Sequence, residues 1–216
     1  SLTSAALRAL REEAPRASYS SSERLVSLPA PSLPSERLEA ALAGRAAALS
    51  PQGYEKILQI AEADEVLRKS SGQSIFGRDE YYVSFLGQPS TTEPWMIQFG
   101  GHHLGLNVTL AGEQRILAPS HTGAQPAIYE LEGKTVRPLG RETDKAFALL
   151  SSLNEAQRKQ AILDFQIRDL VLGPGRDGQT IQPEGIKGSA LAEKQREMLL
   201  DLASEWTGIL HEAVAK

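Results

Sequence analysis

The sequence predicts an α+β fold, an antiparallel β-meander flanked by N-terminal and C-terminal helices. Apolar residues recur at helical spacing toward both ends of the chain. The middle holds short β-rich segments separated by turn residues. Those segments follow one another without intervening helices, which excludes alternating βα units.

At the N-terminus, residues 2–13 read as a short helix with Leu7 and Leu10 on one stripe. Residues 14–34 are rich in Ser and Pro. Pro29, Pro31 and Pro34 crowd its end, which predicts an irregular arm laid over the surface, anchored by Leu25, Val26 and Leu28. Ser35 caps a helix through about Ala48. Ser50-Pro51 opens the next, since a serine cap with proline in the first turn satisfies the free N–H groups. Tyr54, Ile57, Leu58 and Ala61 continue it to about Lys69, with Glu62, Asp64 and Glu65 as its wet face. The domain reading is an N-terminal helix and arm over 1–34 and a single α+β domain over 35–216.

Six segments make the meander: 80–86, 95–99, 104–110, 115–118, 128–131 and 135–138. Residues 111–114 (AGEQ) and 132–134 (EGK) are hairpin-length connections. Helices return after Gly140, with a capping-box pattern at Asn154-Glu155-Ala156-Gln157 and a regular amphipathic helix over 190–213. Between them, residues 173–188 (GPGRDGQTIQPEGIKG) form a long glycine-rich loop.

The stretch FGGHHLGLN (99–107) raises the functional question. Trp95, Ile97 and Phe99 share odd parity, while Leu104, Leu106, Val108 and Leu110 share even parity. The switch at Gly100-Gly101 fits a bulge or, preferably, a two-residue Gly-Gly hairpin turn pairing Phe99 with His102 and Ile97 with Leu104. On that strand His102 points to the apolar face and His103 to the other. Gly105 then leaves an open floor between His103 and Asn107. His121 returns on the next strand, opposite Leu104 or, one register step away, opposite His103. Three imidazoles at one end of a hairpin suit a divalent metal, Zn, Cu or Fe. The competing reading is that they are hydrogen-bonded histidines at a sheet end.

Other features discriminate less. Arg168, Asp169, Arg176, Asp177 and Glu184 bring charge to the glycine-rich loop, yet no GxxxxGK[ST] or GxGxxG is present. His211 reads as a surface or helix-dipole residue. Asn107-Val108-Thr109 is a glycosylation sequon in form but lies mid-strand. No GxSxG elbow supports a serine triad. The net charge of −4 and the lack of basic runs argue against a protein that grips nucleic acid. No apolar run reaches the roughly 20 residues of a membrane span. Absence of cysteine excludes disulfides, thiolate catalysis and iron–sulfur clusters.

The segments YYVSFLG (81–87), EPWMIQFGGHHLGLNVTL (93–110), HTGAQPAIY (121–129), VRPLG (136–140), DKAFALL (144–150), AQRKQAIL (156–163) and DLVLGPGRDGQTIQPEGI (169–186) carry a resemblance. They resemble the domain-of-unknown-function 3500 family of bacterial and fungal proteins, from about residue 50 onward. The resemblance implies motif weight on His102, His103, Asn107 and Glu184, and a phenylalanine in the family pattern where His121 stands. It also implies export in bacterial members, hence a periplasmic or secreted location.

The functional expectation is an enzyme acting on a small molecule in a pocket at the GGHHL end of the sheet, covered by the 173–188 loop. His103 is its general base or metal ligand, Asn107 an orienter, and Glu184 a loop-borne catalytic contact. Gly105, Arg176 and Asp177 bind ligand, and His102, His103 and His121 form the metal set. The alternative is a non-catalytic binding or structural module with structural histidines.

Overall fold

In the computed structural model, residues 49–88, 90–166, 171–173, 175–176 and 178–210 are described, together with the backbone of 18–19 and 25–29. The chain divides into two compact units, Ser1–Gly140 with Trp206–Lys216, and Arg141–Glu205. Each is described by itself. The expected helices over 2–13 and 35–48 lie outside the described residues.

The first unit is built on a six-stranded antiparallel meander in sequential order: β1 (Ser18–Tyr19), β2 (Leu25–Pro29), β3 (Tyr82–Leu86), β4 (Trp95–Gly100), β5 (Leu104–Ala111) and β6 (Gln114–Thr122). The first two strands correct the expectation of an irregular arm. Leu25-Val26-Ser27-Leu28 contains no proline, and its N–H groups are free to enter a ladder. Pro29 sits at the strand end, past the last residue that pairs with β1, where a missing donor costs least. Backbone pairing of Val26 with Phe85 and Leu28 with Val83 holds this segment.

Helix α1 (Pro51–Ser71) precedes β3. The Ser50 side chain accepts from the Gly53 N–H at 2.9 Å, and Gly72 ends the helix in the left-handed region at φ 71°. Its Ile57 and Ile60 pack with Val83, Phe85, Ile97, Phe99, Leu106 and Val108 in the main core. The alternation read from sequence therefore holds for β4 and β5, whose odd and even positions respectively face the helix. Between β5 and β6 the register slips by one residue, Leu106 pairing with Ser120 and Val108 with Leu117. Pro119, which has no N–H to donate, lies in this bulge.

A second hairpin, β7 (Tyr129–Leu131) and β8 (Lys134–Val136), turns at Glu132 and Gly133 with φ of 50° and 75°. That is the positive-φ pair a tight two-residue turn requires. The Tyr129 hydroxyl donates to the Gln59 carbonyl of α1 at 3.0 Å. Leu49 bridges to Leu210, and the Ser50 N–H donates to the Ile209 carbonyl at 2.9 Å.

Following Gly140, the chain forms α2 (Gly140–Ser152), α3 (Glu155–Ala161) and α4 (Glu193–Thr207). The capping box at Asn154 is present, with both reciprocal hydrogen bonds to Gln157. In the second unit Lys145 bridges Asp201 and Glu205, each at 2.7 Å, and Arg141 reaches Glu205 at 2.9 Å. Burial raises the Glu205 carboxyl, but hydrogen bonds from Lys145 and Arg141 outweigh it and hold the pKa below the usual range. Helix α4 is shorter than expected: after Thr207 the chain leaves the helix, and Ile209 enters the core of the first unit. No helix among the described residues is long and apolar enough to cross a membrane.

Candidate active site around Asp64 and His103

The hairpin expected at FGGHHLGLN forms, but its turn lies two residues further on. Phe99 pairs with Leu106 and Gly100 with Gly105, and the Gly101 N–H donates to the Leu104 carbonyl at 2.9 Å. His102 and His103 are thus the central residues of the turn, not the first residues of a strand. The pairing differs from expectation by an even number of residues, so the apolar face is unchanged. The expectation that the two histidines stand on opposite faces of the sheet does not hold. Their rings meet edge to face, 4.3 Å apart at 87°.

The two glycines serve close approach here. A β-carbon on Gly100 would lie 2.5 Å from the Leu104 carbonyl oxygen. One on Gly101 would lie 2.7 Å from the Tyr81 ring. Tyr81 packs flat against this backbone, with its ring 5.7 Å from that of Phe99.

Beneath the turn is Asp64, on α1, with no exposed surface at all (0%). Its Oδ2 accepts from the Tyr81 hydroxyl at 2.7 Å, and its Oδ1 is in a short hydrogen bond with His103 Nδ1. Burial, and then the hydrogen bond to Asp64 and that carboxylate's charge, push the Tyr81 phenol well above its ordinary range, so it remains a donor. An ionised carboxylate only accepts, so the proton in the His103 bond sits on Nδ1. In the neutral ring Nε2 then carries the lone pair. The His103 side chain keeps 19% of its surface exposed. Its backbone is fixed as well, since the His103 carbonyl accepts from the Gly123 N–H at 2.7 Å. His102 is exposed, and its ring also packs edge-on against Phe76, 4.6 Å away.

Sequence reasoning missed Asp64. The buried stripe of α1 runs through Gly53, Ile57, Ile60 and Asp64, whereas Leu58 is exposed. The sequence places the stripe at Tyr54, Ile57, Leu58 and Ala61, which leaves Asp64 on the wet side; Ile57 is buried as expected, but Leu58 is not. The available signal was a carboxylate continuing the Ile57–Ile60 spacing by one turn. Glu65 is buried too. Hydrogen bonds from Arg68, at 2.9 and 2.5 Å, bring its pKa down to about 2 against the cost of burial. Glu62 keeps the expected character in part, facing Arg78 at 3.4 Å.

Within the first unit, the other expected site residues Asn107, Gly105 and His121 take partners other than His103. Asn107 lies on the opposite sheet face, accepting from Gln98 and donating to the Pro119 carbonyl, each at 2.6 Å. Its amide is committed within the sheet, so the expected pairing of His103 with Asn107 is not formed. Gly105 pairs with His121, and a β-carbon there would meet only His121 Cβ, at 3.6 Å. The open floor is real, but its neighbour is His121. The bulge at Leu106/Val108 moved His121 there, away from both expected partners. The metal set His102, His103 and His121 does not assemble. Among the described residues, no group of three or more His, Cys, Asp or Glu side chains is placed to hold a metal ion. Arg176 and Glu184 are exposed residues of the second unit. Arg168, Asp169, Asp177 and His211 lie outside the described residues.

Chemically, the arrangement is a partly exposed imidazole held through Nδ1 by a buried carboxylate. Such a group takes up a proton at Nε2 while the carboxylate stabilises the imidazolium that forms.

No curated protein and no solved structure matches the chain. A family model does match, over residues 20–216, further toward the N-terminus than the motifs alone reach. That added stretch contains β2, a strand of the same sheet. With the GGHHL turn and the glycine-rich run both inside the match, the chain belongs to the family described as protein of unknown function (DUF3500).

Proposed function

We propose that the chain is an enzyme acting on a small molecule, with His103 as general base and Asp64 as the carboxylate that orients it. The observation carrying this reading is the fully buried Asp64 joined to Nδ1 of a partly exposed histidine. A buried carboxylate is costly to keep unless it is paired and hydrogen-bonded. Spending one on a surface-turn imidazole is the arrangement general-base catalysis needs. The substrate side of the site is the tip of the β4–β5 turn, where His102 borders the His103 ring and Phe76 packs in turn against His102.

The test is a panel of small chromogenic esters, amides and phosphoesters, together with solvent-deuterium exchange into small carbonyl compounds. It is run on the wild-type chain and on His103→Asn and Asp64→Asn. A general base contributes roughly 10²–10⁴-fold, so His103→Asn should lose that much of whatever activity the wild type has. Activity that survives in folded His103→Asn sinks the reading, as does a wild type inert across the panel.

A structural reading has its own support. The same bond ties α1 to a turn 39 residues away in sequence. If that is its whole role, the variants melt early, but the His103 ring reacts with diethyl pyrocarbonate no faster than exposed His121.

A further inference from the structure

We propose that Tyr81 is a positioning residue for His103, acting through Asp64 to hold the imidazole with its lone pair on Nε2. The inference rests on the general-base reading and adds the residue that makes the dyad directional. A carboxylate has two oxygens and about four lone-pair sites, and either oxygen can meet an imidazole. Asp64 is wholly buried, and the described side chains bonded to it are Tyr81 and His103. With the phenol at Oδ2, rotation of the carboxylate away from it would strand a buried hydroxyl. The carboxylate is thereby locked, and Oδ1 is left to accept from Nδ1 alone.

Tyr81 is itself held. It is 1% exposed, its ring lies against Phe99, and the bare backbone of Gly101 closes on its face. This gives the second glycine of the GGHH run a role in the dyad: it admits the ring whose hydroxyl orders Asp64. The chain of support runs from Gly101 to Tyr81, Asp64 and His103.

The experiment is ¹⁵N NMR of the histidine rings in the full chain, labelled at histidine and assigned with His103→Asn. It is recorded at a pH where the His103 ring is neutral. The wild type should show the proton on Nδ1 and none on Nε2. Tyr81→Phe should convert this to an exchanging mixture of both tautomers, and acylation of His103 by diethyl pyrocarbonate should slow while His102 and His121 keep their rates. Gly101→Ala keeps the phenol but displaces its ring, and should give the same mixture. This second variant carries the test if Tyr81→Phe melts too low to study. If both variants fold and keep the wild-type tautomer, the proposal is overturned. A wild type with its proton on Nε2 is a different result, for it removes the dyad and the general-base reading with it.

Discussion

At the residue scale, the consequence of burial depends on what meets the buried group. Asp64 meets two donors, and removing it strands both. Each unsatisfied buried donor costs about 1–3 kcal/mol, and in a chain of this size 1 kcal/mol moves the midpoint by roughly 2–4 °C. Asp64→Ala should therefore lower the melting temperature by several degrees, measured by calorimetry, and a change within error would mean that water already serves the two donors. Glu65 meets Arg68, and its pKa falls from 4.5 to about 2 on folding. A depressed carboxylate contributes stability that is present above its unfolded pKa and lost as pH falls through the folded one. Glu65→Gln should therefore destabilise the chain at neutral pH, and the gap to wild type should close between about pH 4.5 and pH 2. Parallel stability curves across that window would count against the pair. Gly105 meets almost nothing, so Gly105→Val should be tolerated, with β-branching suiting the strand. Of these three residues only the open space at Gly105 was legible in sequence; its neighbour, His121, was set by the bulge between β5 and β6. Asp64 and Glu65 depend on where the helix seats, which one turn of ambiguous apolar spacing left open.

At the scale of elements, parity is more legible than register. The odd and even apolar positions of β4 and β5 are enough to name the buried face, and any even shift preserves it. The turn itself was not legible, since Gly-Gly has two uses. It can supply a tight turn, or it can admit another group against the backbone, and Tyr81 lies too far away in sequence to announce the second. Proline misled in the opposite direction. Its density after Leu28 suggested an irregular arm, although the four residues before Pro29 are free to pair. β2 is laddered on β3 across five residues, so amides on that ladder should exchange far more slowly than those of residues 90–93. Hydrogen exchange read by mass spectrometry checks this, and equal rates in the two segments would remove β2 from the sheet. Ser27→Pro makes the same point by mutation. Ser27 is paired on both sides, with Ser18 and Ser84, and a residue that cannot donate there should destabilise the whole sheet.

At the scale of the whole molecule, the two units differ in how much apolar surface they remove from water. The fold class was legible because helix, meander and helix differ in period, and period survives errors of boundary. The division of the core was not legible, because composition is ordinary throughout. In the first unit, helix α1 and the sheet share one continuous apolar cluster. In Arg141–Glu205, the described buried apolar side chains are Leu153 and Leu191, while Phe147 is 64% exposed and Leu200 71%. With so few fully buried apolar side chains among its described residues, this unit has little of the burial that offsets the entropy of ordering a chain. Ion pairs of Lys145 and Arg141 with Glu205 and Asp201 do not make up for that, since partly exposed pairs contribute on the order of 1 kcal/mol or less. A fragment spanning residues 141–205 should therefore show no cooperative melt by circular dichroism, although the capping box at Asn154 and the helical spacing of α4 should leave it residual helix. A sharp two-state transition in that fragment would mean that its helices bury far more apolar surface than Leu153 and Leu191 account for.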